Sequence, residues 1–464
     1  MVFASHIFLF GFLPLFLAAY YLVPARCRSA LILTASYAFY GWWRVDYLAL
    51  VVGISLVSYV AAAVAATATS EARKSLAVKT GVALILCALG YFKYAHFIVG
   101  MANGLKEAFG ADAFTMDRIV LPIGISFLSF QSISYIIDVA RKDAPPARNL
   151  VDFLAFVALF PQLIAGPVLR YKDLADQFSA RLHSLQTFAQ GVRRFVTGLA
   201  MKLLLADTVA PLADRVFALE APTMAEAWLG ALAYAIQLFF DFAGYSAMAI
   251  GLGLMIGFRF VENFDQPYTS RSITEFWRRW HISLSNWLRD YLYVPLGGNR
   301  DGALRTYRNL MLTMVLGGLW HGANWTFILW GAWHGAALAV ERLVGIKPDV
   351  RGWPLGLGWA ITMLIVLVGW VMFRAPSVGR ALDIYAGLVG LNGWALSAEV
   401  FYATQSVELL ALCIGGGLST MGPHVKTVTA RLAAPSWPTT ALLLLASSLV
   451  LSARTHSPFL YFQF

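Results

Sequence analysis

The residues best placed to do chemistry in this chain are histidines set among glycines and tryptophans. His321 lies in Gly317-Gly318-Leu319-Trp320-His321-Gly322-Ala323-Asn324-Trp325, where small neighbours let a substrate approach the ring. An imidazole changes protonation near neutral pH and so suits general-base work. Asn324, three residues on, could orient that ring or polarise a carbonyl. The spacing alone leaves two readings open for His321, a base or a hydrogen-bonded structural histidine. His334, in Trp330-Gly331-Ala332-Trp333-His334, is its rival. On one continuous helix it would sit roughly 220° around the axis from His321, so the spacing favours a structural role for it unless the helix is broken.

A third histidine, His281, sits within the run Phe276-Trp277-Arg278-Arg279-Trp280-His281-Ile282-Ser283-Leu284-Ser285. Arg278 and Arg279 could grip the phosphates of a carrier through bidentate hydrogen bonds, flanked by the rings of Trp277 and Trp280. They could equally be cations that snorkel to a membrane surface. Gln237, Asp241 and Tyr245 recur at every fourth position of an apolar segment and form one polar stripe on a helix. Asp241 needs a partner there, and an arginine from 271–289 is the expected one. Phe160-Pro161-Gln162-Leu163-Ile164-Ala165-Gly166-Pro167 reads as a broken helix lining a cavity.

The elements that must position these groups are membrane helices. Of 464 residues, 59% are hydrophobic and 13% charged, against about 25% charged in soluble domains. The net charge of +10 fits positive-inside topology better than nucleic-acid binding. A bilayer span takes about 20 apolar residues. Candidate spans fall at 5–23, 29–43, 46–67, 79–101, 119–139, 151–167, 188–208, 226–241, 243–260, 309–320, 324–343, 356–374, 403–418 and 438–453. Some are too short or too polar to cross, so the expectation is an all-α integral membrane bundle with about ten crossings. Segment 121–138, with four serines, Gln131 and Asp138, belongs inside the bundle rather than against lipid. Basic residues at 24–28, 68–79 and 141–148 put the N-terminus outside, and the start does not read as a cleaved signal peptide.

One stretch departs from the span pattern. Residues 262–308 carry seven arginines interleaved with Trp and Tyr, too basic for a plain span and too aromatic for a solvated loop. Read as one helix over 272–290, they form an amphipathic segment at the cytoplasmic interface or dipping into the bundle. Glu275 pairs with Arg279 one turn on, and Gly297-Gly298-Asn299 turns the chain after it. Residues 344–355 and 418–436 read as loops, and the whole chain, 1–464, as one membrane domain without internal repeats. Cys27, Cys87 and Cys413 fit no metal-ligand or disulfide framework. No Gly-x-Ser-x-Gly elbow, Walker loop or His-Glu-x-x-His is present, which removes the main support for hydrolase, ATPase and zinc-protease readings. A transporter for a small anionic metabolite remains the competing class, although inverted repeats are not seen.

Phe276 to Leu284 followed by Trp320-His321-Gly322 resembles the signature of the membrane-bound O-acyltransferase family. Tyr37-Ala38-Phe39-Tyr40-Gly41-Trp42-Trp43, Leu121 to Phe127, the Phe160 to Pro167 block, Trp370 to Ala375 and the tail Pro458 to Phe464 resemble its alginate-acetylating bacterial branch. That resemblance implies a helical bundle around a central tunnel in the bacterial inner membrane. It implies catalysis by His321 with help from His281, and donor binding by Arg278, Arg279, Trp277, Trp280, Asn324 and Asp241. It further implies acetyl-CoA or another acyl thioester as donor with no bound cofactor or metal. The partners it implies are a periplasmic SGNH-type acetyltransferase or esterase and a polysaccharide synthesis and secretion complex.

Overall fold

The computed structural model describes residues 1–163, 166–346, 355–420 and 435–454. The tail motif at 458–464, Ile164 and Ala165, and most of the two loops expected at 344–355 and 418–436 lie outside the described residues. Within them every regular element is a helix, with no strand. Five helices are long and apolar enough to cross a membrane: Leu48–Thr67, Glu71–Ala108, Leu185–Ala218, Met224–Met255 and Gly356–Arg374. Shorter apolar helices stand at Ile7–Leu22, Leu150–Leu163, Ser406–Thr420 and Trp437–Ala453.

The chain forms two compact units, one of residues 1–192 and 249–261, the other of 193–248 and 262–464. The first contains α1 (Leu13–Leu22), α2 (Arg28–Gly41), α3 (Leu48–Thr67), α4 (Glu71–Leu89), α5 (Ala95–Ala108), α6 (Ile125–Arg141), α7 (Leu150–Val157), α8 (Phe160–Leu163) and α9 (Tyr171–Ser179). Helix starts follow local capping chemistry: Ser70 accepts from the Arg73 amide ahead of α4, and Asn149 accepts from the Asp152 amide ahead of α7. The serine-rich α6 is buried along nearly its whole length, as its composition requires. Gln131 donates to Gln162 at 2.9 Å, and Asp138, with no exposed side-chain surface, pairs with Lys172 at 3.3 Å. The Phe160 block is broken, with α7 ending before Ala158 and α8 lasting one turn. The Phe160 ring fills an aromatic core 5.0 Å from Phe16, 5.3 Å from Phe12 and 5.5 Å from Phe39.

The divide between the units falls inside α10 (Leu185–Ala200) and α12 (Met224–Met255), with α11 (Asp207–Ala218) between them. The expected pair of spans at 226–241 and 243–260 is in fact this single helix α12 of 32 residues. Gly244 interrupts apolarity but not helical hydrogen bonding, because a helix with tertiary support tolerates one glycine. The second unit continues with α13 (Ile273–Arg279), α14 (Ile282–Leu288), α15 (Ala303–His321), α16 (Trp325–Val344), α17 (Leu355–Arg374), α18 (Val378–Leu388), α19 (Ala398–Ala403), α20 (Ser406–Thr420) and α21 (Trp437–Ala453). Its core is unusually aromatic, built on Tyr234, Phe239, Tyr268, Phe276, Trp280, Trp330, Trp370 and Phe373.

Two sequence expectations change here. The stretch 272–290 is two short helices, because the chain turns sharply at Trp280 and His281; His281 sits at φ 44° and ψ 52°. The ion pair inside the first of them forms as expected, with Arg279 2.7 Å from Glu275. His321 and His334 do not share a continuous helix either. The chain breaks at Gly322–Asn324 and α16 returns against α15. Glycines make that close return possible: a Cβ on Gly318 would run into the Phe327 carbonyl, and one on Gly331 into the Met314 carbonyl.

Candidate active site

All the candidate residues belong to the second unit. The break after Trp280 puts His281 at the mouth of α14 in the left-handed region, which costs a non-glycine residue about 1–2 kcal/mol. Such strain persists only where surrounding contacts hold it, and here they come from Asn263. The Asn263 carbonyl accepts the Ile282 amide at 2.9 Å. Its side-chain Oδ1 accepts the Ser283 amide at 3.2 Å and the Ser283 hydroxyl at 2.8 Å, while Nδ2 donates to Ser246 Oγ at 3.1 Å.

A backbone N–H can only donate, so the contact from Ser283 identifies that side-chain atom as the oxygen. It also lies 3.1 Å from His281 Nδ1, which must therefore carry the hydrogen. The second ring nitrogen, Nε2, is left with its lone pair and with no partner among the described residues. A fully buried neutral imidazole held in one tautomer by an amide oxygen is oriented to accept a proton at Nε2.

His321 ends α15, buried, with its ring centroid 6.4 Å from that of His281. Around it stand Trp320 at 4.9 Å, Trp330 at 5.2 Å and Phe373 at 5.2 Å. Phe242 lies 4.6 Å from His281 with the two rings nearly perpendicular. The two histidines thus face a collar of aromatic carbon that keeps bulk water away from them. His334, fully buried, lies on the other side of Trp330 at 5.1 Å and stacks on Phe276 at 6.2 Å. The helix break brings it within one ring of His321, although the two rings do not adjoin.

The remaining candidates separate by what their side chains already hold. Arg278 is exposed and has no partner among the described residues. Arg279 is occupied with Glu275 and with Thr269 Oγ1 at 3.2 Å, so it braces its own loop. Trp277 is half-buried beside His334 at 5.2 Å, with its indole N–H unpartnered among the described residues. Trp280 is core, 4.8 Å from Trp370 and 5.1 Å from Phe264. Asn324 does not orient an imidazole. It caps α16 by accepting the Thr326 amide and donates to the Pro376 carbonyl at 3.0 Å. Asp241 does not meet an arginine of 271–289. Lys202, buried in the π-helical turn Met201–Ala206, lies 2.7 Å from Asp241 and 2.8 Å from Asp207.

Asn263 and Lys202 are the residues that sequence reasoning passed over. Asn263 stood only at the edge of the basic stretch, and its link to His281 spans 18 positions. Lys202 is a lone cation in an apolar run, which was itself a signal that a buried carboxylate must face it.

The histidine pair, the two short helices and every member of the aromatic collar except Phe373 lie in 140–346, the part of the chain that matches the family model of the membrane-bound O-acyltransferases. Along its full length the chain is 51% identical to the Azotobacter vinelandii protein named "Probable alginate O-acetylase AlgI" and 52% identical to the Pseudomonas putida protein of that name, covering all of both. The chain belongs to the membrane-bound O-acyltransferase family. A more distant relative, the peptidoglycan O-acetyltransferase of Helicobacter pylori, is 35% identical over 85% of this chain and 81% of its own length. As a member of this family the chain is a membrane acyltransferase, and the transporter reading loses its ground.

Proposed function

We propose that this acyltransferase takes an acetyl group from a cytoplasmic thioester such as acetyl-CoA and delivers it across the bacterial inner membrane for O-acetylation of an alginate-like exopolysaccharide. The observation that carries this reading is the buried pair His281 and His321, with ring centroids 6.4 Å apart and one ring locked as an Nε2 base. His321 accepts the proton of an acceptor hydroxyl as that oxygen attacks the thioester carbonyl. The C–S bond breaks, and the departing sulfur takes up a proton. His281 Nε2 assists from the same pocket, where the dry aromatic surround strengthens every electrostatic contact. Arg278 meets the donor's phosphates. The names of the relatives, alginate O-acetylase and peptidoglycan O-acetyltransferase, support acetyl as the group and a polymer outside the membrane as its destination. A periplasmic SGNH-type transferase working with a polysaccharide synthesis and secretion complex completes the route.

Membranes carrying the protein, supplied with acetyl-CoA labelled in the acetyl group, test the proposal. Label reaches polymer or a protein partner with the parent chain and does not with His321→Ala, while the variant still inserts in the membrane. Full acetylation by His321→Ala overturns the assignment.

A further inference from the structure

Away from the histidines, on the side of α16 that carries Trp333 and Val340, a groove of about 400 Å³ runs between α16 and α17. Its walls are almost wholly apolar, and its volume is that of a ligand site, about 300–1,000 Å³. Trp333, Val340 and Val344 on its rim are 41%, 57% and 63% exposed. One wall, α17, is among the helices long and apolar enough to cross a membrane, so these exposed side chains meet acyl chains rather than water.

The groove has two unlike ends. At the inner end Trp333 donates its indole N–H to the Ile365 carbonyl at 2.9 Å, joining the two helices and closing the floor. At the outer end stand Glu341 and Arg271. Glu341 is already satisfied by the amides of Ile273 and Thr274 and by the Thr274 hydroxyl. The Arg271 guanidinium has no hydrogen-bond or ion-pair partner among the described residues, only its backbone N–H being engaged, with Glu275. From Trp333 to Val344 is eleven residues of helix, about 16 Å at the ~1.5 Å rise per residue. That is half of a ~30 Å hydrocarbon core, the depth of one leaflet.

From this we infer that the groove is a binding site for an anionic phospholipid of the surrounding bilayer. One acyl chain lies between α16 and α17, and the phosphate pairs with Arg271. Length selects a chain of a single leaflet, the open apolar rim gives it lateral entry from the membrane, and the Arg271 guanidinium at the outer end selects the charged headgroup. Because α16 also carries Trp330, which separates His321 from His334, the lipid braces one wall of the acyl-transfer site from outside.

The test uses the full chain purified in mild detergent and dosed with dioleoyl phosphatidylglycerol or dioleoyl phosphatidylcholine, with retained lipid read by native mass spectrometry. One phosphatidylglycerol is expected to stay bound to each parent chain, in preference to phosphatidylcholine. Ala336→Trp, at an exposed position lining the groove, is expected to lower that retention by about tenfold. Arg271→Gln is expected to lower phosphatidylglycerol retention by about fivefold and to erase the headgroup preference, the effect of one basic side chain at an anionic surface. A phosphatidylglycerol with a photoreactive acyl chain, applied to the parent chain, labels peptides of 332–346 and 356–365, which needs no variant to fold. Equal retention of both lipids by the parent, or labelling elsewhere, overturns the inference. So does Ala336→Trp that lowers acyl transfer while retaining phospholipid, because the groove then admits the donor instead.

Discussion

Asn263 Oδ1 lies 3.1 Å from His281 Nδ1, across 18 positions of sequence, and the same oxygen accepts two hydrogen bonds from Ser283. That one amide therefore sets both the tautomer and the strained backbone of the histidine. Asn263→Ala is expected to reduce acyl transfer about a hundredfold, the scale of a small misplacement of a reacting group. Asn263→Asp, which keeps an acceptor, should recover part of the loss. Initial rates with labelled donor, normalised to inserted protein, check this; an unchanged rate in Asn263→Ala removes the positioning role.

The closeness of His281 and His321 makes them one unit. Each single alanine variant should lower the transfer rate by about 10²–10⁴, the usual contribution of a general base. The double variant should be little worse than the more damaging single one, because groups that act together are not additive. Multiplied losses in the double variant would show two independent steps.

Arg278 and Arg279 are neighbours in sequence with different duties. Arg278→Ala should raise KM for the acyl donor and leave the unfolding temperature alone. Arg279→Ala should cost up to about 1 kcal/mol of stability, from the partly exposed pair with Glu275, and leave KM unchanged. Measuring both quantities for both variants separates the roles, and an unmoved KM in Arg278→Ala excludes phosphate binding there.

Lys202 bridges Asp241 and Asp207 where its own side chain is 2% exposed. Lys202→Met takes away the cation 2.7 Å from buried Asp241 and should destabilise the protein by about 3–5 kcal/mol. Adding Asp241→Leu should restore much of this, since Asp207 keeps Arg454 within 3.8 Å. Thermal unfolding in detergent reads the difference, and no rescue by the double variant would contradict the pairing.

Gly331 faces the Met314 carbonyl across the α15–α16 hairpin, whereas Gly416 on α20 meets nothing within 4 Å of an added Cβ. Gly331→Ala should therefore cost about 1–3 kcal/mol by overpacking, and Gly416→Ala should cost nothing. Equal unfolding temperatures for the two variants would show that the hairpin can open to accept the methyl group.

Local patterns were legible wherever one segment carries the whole argument. The serine-rich α6 announced its burial, the Phe160 block its break, and Glu275 its pairing with Arg279 four residues on. The misreadings have a common cause. Arginines are abundant in 271–289, yet Asp241 meets Lys202; Asn324 is near His321 in sequence, yet it caps α16 and reaches Pro376. Neither abundance nor proximity along the chain measures distance across a packed bundle. The single helix expected over 272–290 failed for a related reason: periodicity reports which faces are apolar, not where a distant residue such as Asn263 will bend the backbone.

What the amino-acid sequence determined by itself is the class of molecule and its reactive inventory. Apolar runs too long for a soluble core demand a membrane, and histidines kept among glycines and tryptophans mark the chemistry. Tertiary structure alone decided the partnerships: Lys202 for Asp241, Asn263 for His281, and His321 beside His281 instead of His334. A hydrogen bond reaches about 3 Å, while these partners stand 18 to 40 positions apart. Only the close packing of Gly198 and Lys202 against Gly244 of α12, and of the 262–266 segment along the break at Trp280–His281, brings the two hydrogen-bonded pairs within that reach, and His321 of α15 reaches His281 across packed rings at 6.4 Å.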